Sequence, residues 1–245
     1  MYKKSTQKII NRIIFIVIIF AILCGIGIYI LKYEVQGETN IPFEITKIAI
    51  AQSINGIESE GHQEKWNFNV SENNDIYIYL EKNSRYNKTE IIKDVTINNI
   101  KINKTDSIGE TKIYKPVEDE KVMFENTNET EEIVYTGEME SNIKQQKISN
   151  QGGIIAFRYA INNLSNYISN ENEEVDYGKL LQLTNIKEEN IKTTISFDFI
   201  ITLTTNRKYQ TNIQIDIPAK EVIEKGVAGI ELTEFNNLIF KRIEN

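Results

Sequence analysis

The sequence predicts an all-β domain of the β-sandwich class behind one N-terminal transmembrane helix. Three observations predict it. An unbroken apolar run lies near the start, apolar and polar side chains alternate with period two through most of the chain beyond residue 40, and Asn, Gly, Ser and acidic clusters cut the alternating stretches short.

The apolar run is Ile13 to Leu31, 19 residues without a charge. As a helix it is about 28 Å long, close to the ~30 Å hydrocarbon thickness of a bilayer. Lys3, Lys4, Lys8 and Arg12 precede it without an acid among them, and Lys32, Glu34 and Glu38 follow. By the positive-inside rule the N-terminus is cytoplasmic and the rest extracytoplasmic. Tyr29-Ile30-Leu31-Lys32-Tyr33 has no small-residue cleavage site, and Leu23 stands where a lipidated Cys24 would need a small residue. The segment therefore reads as an uncleaved signal anchor in contact with the lipid bilayer through residues 13–31. Ala21 and Gly25, one turn apart, form a small-xxx-small pair on which a second membrane helix can pack.

The chain divides into a basic tail (1–12), the transmembrane helix (13–31), a short polar linker (32–40) and an extracytoplasmic β-sandwich domain (41–245). Strands are expected near 43–51, 64–70, 76–82, 90–102, 111–115, 132–136, 153–161, 193–204, 208–217, 230–234 and 237–243. Segment 115–132 reads as an acidic surface loop. Ile154, Phe157, Ile161, Leu164 and Ile168 also fit a helical stripe, but two glycines and neighbouring strands favour a strand, with a short helix at 163–169 as the alternative.

Two hairpins can be placed in register. In the first, the loop Ser71 to Asp75 sets Val70 opposite Ile76, Phe68 opposite Ile78 and Trp66 opposite Leu80. Its reverse face then pairs Asn69 with Tyr77 and Asn67 with Tyr79. In the second, the turn Thr205-Asn206-Arg207 sets Phe199 opposite Ile213, Phe197 opposite Ile215 and Ile195 opposite Ile217. Its wet face carries Ser196, Asp198, Thr202, Gln210, Asn212, Gln214 and Asp216.

The stretches IPFEITKIAIAQSINGIE, NNDIYIYLEKN and NLIFKR resemble membrane-anchored extracytoplasmic β-domain proteins of low-GC Gram-positive bacteria. Heavy use of Ile, Asn, Lys and Glu with little Ala agrees with AT-rich coding. The resemblance implies the location and the β fold. It brings no activity and no site residue.

Composition narrows the chemistry. Cys24 is the one cysteine and His62 the one histidine, so neither a disulfide framework nor a His/Cys zinc site can form. No G-x-S-x-G and no phosphate-binding glycine loop occurs, and His62 reads as a surface-loop residue. No catalytic residue, metal ligand or cofactor is assigned. Past residue 32 the chain holds 23 basic against 35 acidic side chains, which repels nucleic acid and anionic polymers. Loop 170–176 offers oxygen ligands for calcium but lacks EF-hand spacing. Asp198 and Asp216, diagonal on the second hairpin, would stand ~6–7 Å apart and suggest glycoside hydrolysis. The face formed by Tyr77, Tyr79, Asn67 and Asn69 would suit a sugar, with rings for stacking and amides for its hydroxyls.

The expected function is a non-enzymatic binding or assembly module at the cell surface, with a glycan or a protein as partner. The alternatives are an accessory subunit of a membrane complex, or a carboxylate-dependent cell-wall hydrolase.

Overall fold

The computed structural model describes residues 2–58, 65–117, 123–125, 128–140, 146–170, 174–235 and 238–244. Helix α1 (Tyr2–Ile30) continues into a π-helical turn, Leu31–Val35. Within Asn11–Val35 the most apolar 18 residues have a mean hydropathy of 3.1; this helix lies outside the folded core and is long and apolar enough to cross a membrane.

The rest is a β-sandwich. Its strands are β1 (Phe43–Glu58), β2 (Asn67–Lys82), β3 (Ile92–Lys104), β4 (Glu110–Tyr114), β5 (Ile133–Gly137), β6 (Gln146–Ile148), β7 (Gly152–Ile168), β8 (Thr193–Leu203), β9 (Lys208–Ile217), β10 (Val227–Leu232) and β11 (Lys241–Ile243). One sheet has the order β10-β1-β2-β7-β4 and the other β11-β9-β8-β3-β5-β6. Pairing is antiparallel except between β5 and β6. Short helices α2 (Leu180–Leu183), α3 (Glu188–Ile191) and α4 (Lys220–Lys225) follow β7 and β9.

The core is the pair of inner faces, as the alternation requires. Ile48, Ile50, Ile76, Ile78, Ile155 and Phe157 of the first sheet are fully buried, as are Val95, Ile97, Ile195, Phe197 and Phe199 of the second. Phe157 and Phe197 meet edge to face across the sandwich, with centroids 5.5 Å apart. At one corner the Tyr135 hydroxyl donates to the Ala156 carbonyl (3.1 Å) and accepts from the Ala156 amide (2.9 Å). A β5 side chain thus satisfies a stretch of β7 that β4, ending at Tyr114, does not reach.

The first hairpin is not formed. Residues 67–82 are one continuous strand, which pairs with β1 on one side and β7 on the other. Val70 therefore faces Gly56 and Ser165 rather than Ile76, and Phe68 faces Glu58 and Tyr167 rather than Ile78. The physical reason is that Ser71 to Asp75, turn-forming by composition, finds backbone partners on both sides. Glu72 and Asn74 simply keep the inward parity of Val70 and Ile76.

The second hairpin forms with its register moved by two residues. Ile195 faces Ile215, Phe197 faces Ile213 and Phe199 faces Thr211. The loop is Thr204-Thr205-Asn206, closed by the Leu203 amide donating to the Arg207 carbonyl at 2.9 Å. Asn206 takes the left-handed conformation (φ 62°) as the last loop residue, so Arg207 belongs to the arm. A shift of two leaves each side chain on its face, so the core and wet faces stand as expected except at Thr202, which is 4% exposed rather than wet.

Segment 163–169 is strand through Ile168, not helix. Strand β7 uses four residues where β2 uses two, around Asn163 (φ 55°), and the bulge absorbs the misfit that resembled a helical stripe. Linker residues 32–40 are ordered: the π-turn Leu31–Val35 leads into a bridge between Glu38 and Phe240.

Candidate functional site

The proposed sugar platform is not assembled. Asn69 and Tyr77 lie eight residues apart on one strand, about 26 Å at 3.3 Å per residue, and Asn67 is farther still. Only Tyr77 and Tyr79 are neighbours, on the outer face of β2. Tyr77 lies between Ala49 and Ala156, and Phe124 packs there with Tyr114, Ala156 and Ala160. The Tyr77 hydroxyl donates to Met123 Sδ (3.6 Å), and burial raises its pKa. Arg158 lies 4.8 Å over the Phe124 ring and makes a bidentate pair with Asp75 (2.5 and 2.9 Å). Segment 115–132, expected as a solvated loop, thus carries an apolar plug, and the small Ala156 and Ala160 make room for it. Over Tyr79, Lys47 Nζ stands 4.3 Å from the ring centroid while pairing with Glu231 at 3.1 Å. Asn69 Nδ2 donates to Asn163 Oδ1 at 2.5 Å.

The carboxylate pair is also not assembled. In the observed register Asp198 faces Asn212 and Asp216 faces Thr194, four residues and about 13 Å along the hairpin. That separation exceeds what either glycosidase geometry uses. Asp198 accepts from Asn99 Nδ2 (2.8 Å) and Asn212 Nδ2 (2.9 Å), and Thr194 donates to Asp216 (2.7 Å). Burial works against the charge on Asp198, yet the Asn212 and Asn99 donors hold its pKa below the ordinary value.

His62 and residues 171–173 of the calcium candidate lie outside the described residues. Of the remainder, Asp176 accepts from the Gly178 amide and pairs with Lys179. Among the described residues no group of three His, Cys, Asp or Glu side chains is placed to hold a metal ion. Ala21 and Gly25 lie on α1, and a Cβ at Gly25 would meet nothing within 4 Å.

Two constellations were not legible as sites in the sequence. The first is a polar cluster inside the sandwich. Gln52, Glu72 and Asn74 are 3%, 0% and 0% exposed. Gln52 Nε2 donates to Glu72 Oε1 (3.1 Å) and Asn74 Oδ1 (3.0 Å). Gln52 Oε1, Glu72 Oε2 and Asn74 Nδ2 have no hydrogen-bond partner among the described residues. Two acceptors and one donor are the complement that a buried water satisfies. Burial pushes the Glu72 pKa up to about 7, against the pull of Asn74, Gln52 and Lys104. Lys104 donates to the Ile108 and Gly109 carbonyls, and burial lowers its pKa. The Tyr159 hydroxyl shares a hydrogen bond with Thr193, and burial together with the Glu72 charge raises its pKa. The cluster holds a proton near neutrality in an apolar interior.

The second constellation joins helix to sandwich. Arg242 of β11 lies 4.1 Å over the Tyr33 ring and pairs with Glu38 at 2.9 Å, and its Nη1 donates to the Tyr29 hydroxyl at 2.9 Å. Both partners of the ion pair are about four-fifths buried, which strengthens it relative to a surface pair. The Glu38 amide donates to the Phe240 carbonyl (2.7 Å) and the Phe240 amide returns a bond to Glu38 (2.9 Å). Beside this junction a cleft of about 160 Å³ is lined by Ile41, Phe43, Phe235, Leu238 and Phe240, with Glu44 and Arg85 among its polar lining. Nothing in Lys241-Arg242-Ile243 marks it as the partner of residues two hundred positions earlier.

No protein-family model matches the chain, and no curated protein and no solved structure is similar to it.

Proposed function

We propose that the chain is a single-pass membrane protein that holds a binding or assembly module outside the cytoplasm and acts by contact rather than by catalysis. The observation that carries this reading is the junction. Arg242 grips Tyr33, Tyr29 and Glu38 where the apolar helix ends, so the sandwich is mounted on its anchor at a defined angle instead of swinging on a linker. Such a mount suits a domain that must present one surface at a fixed height. The positive charges before the helix favour a cytoplasmic N-terminus. The resemblance to low-GC Gram-positive surface proteins favours the outer face of that membrane.

A protein partner is favoured over a glycan. Tyr77 is occupied by Phe124 and Tyr79 by Lys47, whereas β10 ends its sheet and, among the described residues, has β1 as its only strand neighbour. Val227 is 59% exposed there, and an open edge is the feature to which a partner strand adds. Protease on intact cells should remove a C-terminal tag and leave a membrane-held stub. A photo-cross-linker at Val227 should capture a protein that one at Ser196, on the opposite sheet, does not. Complete protection of the tag would refute the topology, and equal capture at both positions would refute the edge.

A further inference from the structure

We infer that the sandwich makes a second contact with the bilayer through Ile239, which extends the apolar surface of the anchor helix onto the domain. This rests on the anchored reading above.

Leu31 and Val35, one turn apart at the end of the helix, are 53% and 55% exposed. Ile239, contributed from more than two hundred residues away, is 52% exposed and closely approaches Gly37, two residues past Val35. The Glu38–Phe240 bridge brings it there. Gly37 lets it approach: a Cβ at this position (φ 76°) would lie 2.6 Å from Ile239 Cγ2. Leu238 and Phe235 pack inward against the core and hold the segment, which leaves Ile239 as the side chain turned outward.

What covers this patch follows from where it is. The helix that ends at Val35 is the one long and apolar enough to cross a membrane, and Ile239 approaches Gly37, two residues after that end. A domain clamped at that point has its own end at the headgroup level. Apolar side chains flanked by basic ones are stable at that depth. Lys241, two residues on, is exposed. The occupant is therefore lipid: acyl chains against Ile239 and headgroup phosphates against Lys241.

The chain carries its own control. Trp66, its one tryptophan, is 45% exposed at the far end of β2, about 50 Å along the strand from Lys82. The full chain and its Trp66→Phe/Ile239→Trp variant are reconstituted into phosphatidylcholine vesicles with plain or brominated acyl chains, and flotation is read first. Both proteins should float with the vesicles. In brominated lipid the indole at position 239 should lose roughly half its emission, since an interfacial side chain sits about 5–10 Å into the headgroup boundary. The native Trp66 emission should not change. Vesicle-bound protein whose position-239 indole is quenched no more than Trp66 overturns the contact while leaving the anchor intact. Failure to float overturns the anchor and this inference together.

Discussion

At the scale of single residues, Glu72 is the position where the fold and the chemistry of its side chain are most at odds. A carboxylate buried among Ile and Phe side chains loses hydration that Gln52 and Asn74 only partly replace. The raised pKa sets the sign of the pH dependence. Between about 4.5 and about 7 the native state binds a proton that the unfolded chain has released, so stability falls as pH rises through that window. The full loss corresponds to about 3 kcal/mol. Glu72→Gln, which keeps the shape and removes the charge, should therefore leave stability nearly unchanged at pH 4 and raise it by as much as about 3 kcal/mol at pH 8. Urea melts of the two proteins at both pH values measure this, and equal midpoints at pH 8 would show that the carboxyl is solvated in the native state. The site leaves no trace in the sequence, because Glu72 sits in Ser-Glu-Asn-Asn-Asp, a run whose composition is that of a turn.

At the scale of elements, β2 shows why alternation does not choose between a hairpin and a long strand. Phe68, Val70, Ile76, Ile78 and Leu80 share a face in either arrangement, because a five-residue loop and a five-residue strand segment both preserve parity. What separates the two is the availability of neighbours of equal length, and β1 (16 residues) and β7 (17 residues) supply them along the whole strand. The test is Asn73→Pro. A loop residue would accept proline with little change, whereas in a central strand it removes a ladder bond and strains the backbone, at a cost of roughly 3 kcal/mol or more. Chemical denaturation gives the answer, and a wild-type midpoint would restore the hairpin. Asparagine has a related role elsewhere. Among the described residues, the four non-glycine positions with positive φ are Asn99, Asn163, Asn185 and Asn206, each at a bulge, a helix end or a turn. Part of the asparagine excess thus supplies left-handed positions that other side chains resist.

At the scale of the whole molecule, the two ends of the sandwich domain meet beside the helix. Glu38 and Tyr33 from the start of the domain and Phe240 and Arg242 from its end close one pole of the sandwich against the helix. Arg242→Ala should uncouple helix from sandwich without unfolding either. Thermal stability should drop by about 1–2 kcal/mol, the scale of one charge-assisted pair. Trypsin cleavage after Lys32 in detergent should accelerate severalfold. If both melting and cleavage match the parent protein, the junction is held by the backbone bridge alone.

The sequence by itself determined the apolar helix, the all-β class, which faces of β8 and β9 are core and that one cysteine and one histidine cannot build an intrachain disulfide or a His/Cys cluster. These follow from one-dimensional patterns: a hydrophobic run, a period of two, and the count of a residue type. Tertiary structure alone decided that Ser71 to Asp75 is strand, that Tyr77 lies under Phe124, that Asp198 and Asp216 stand two rungs apart, and that Arg242 reaches Tyr33. Each of these depends on which distant segment becomes a neighbour, and backbone pairing between remote strands leaves no local mark on the residues it joins.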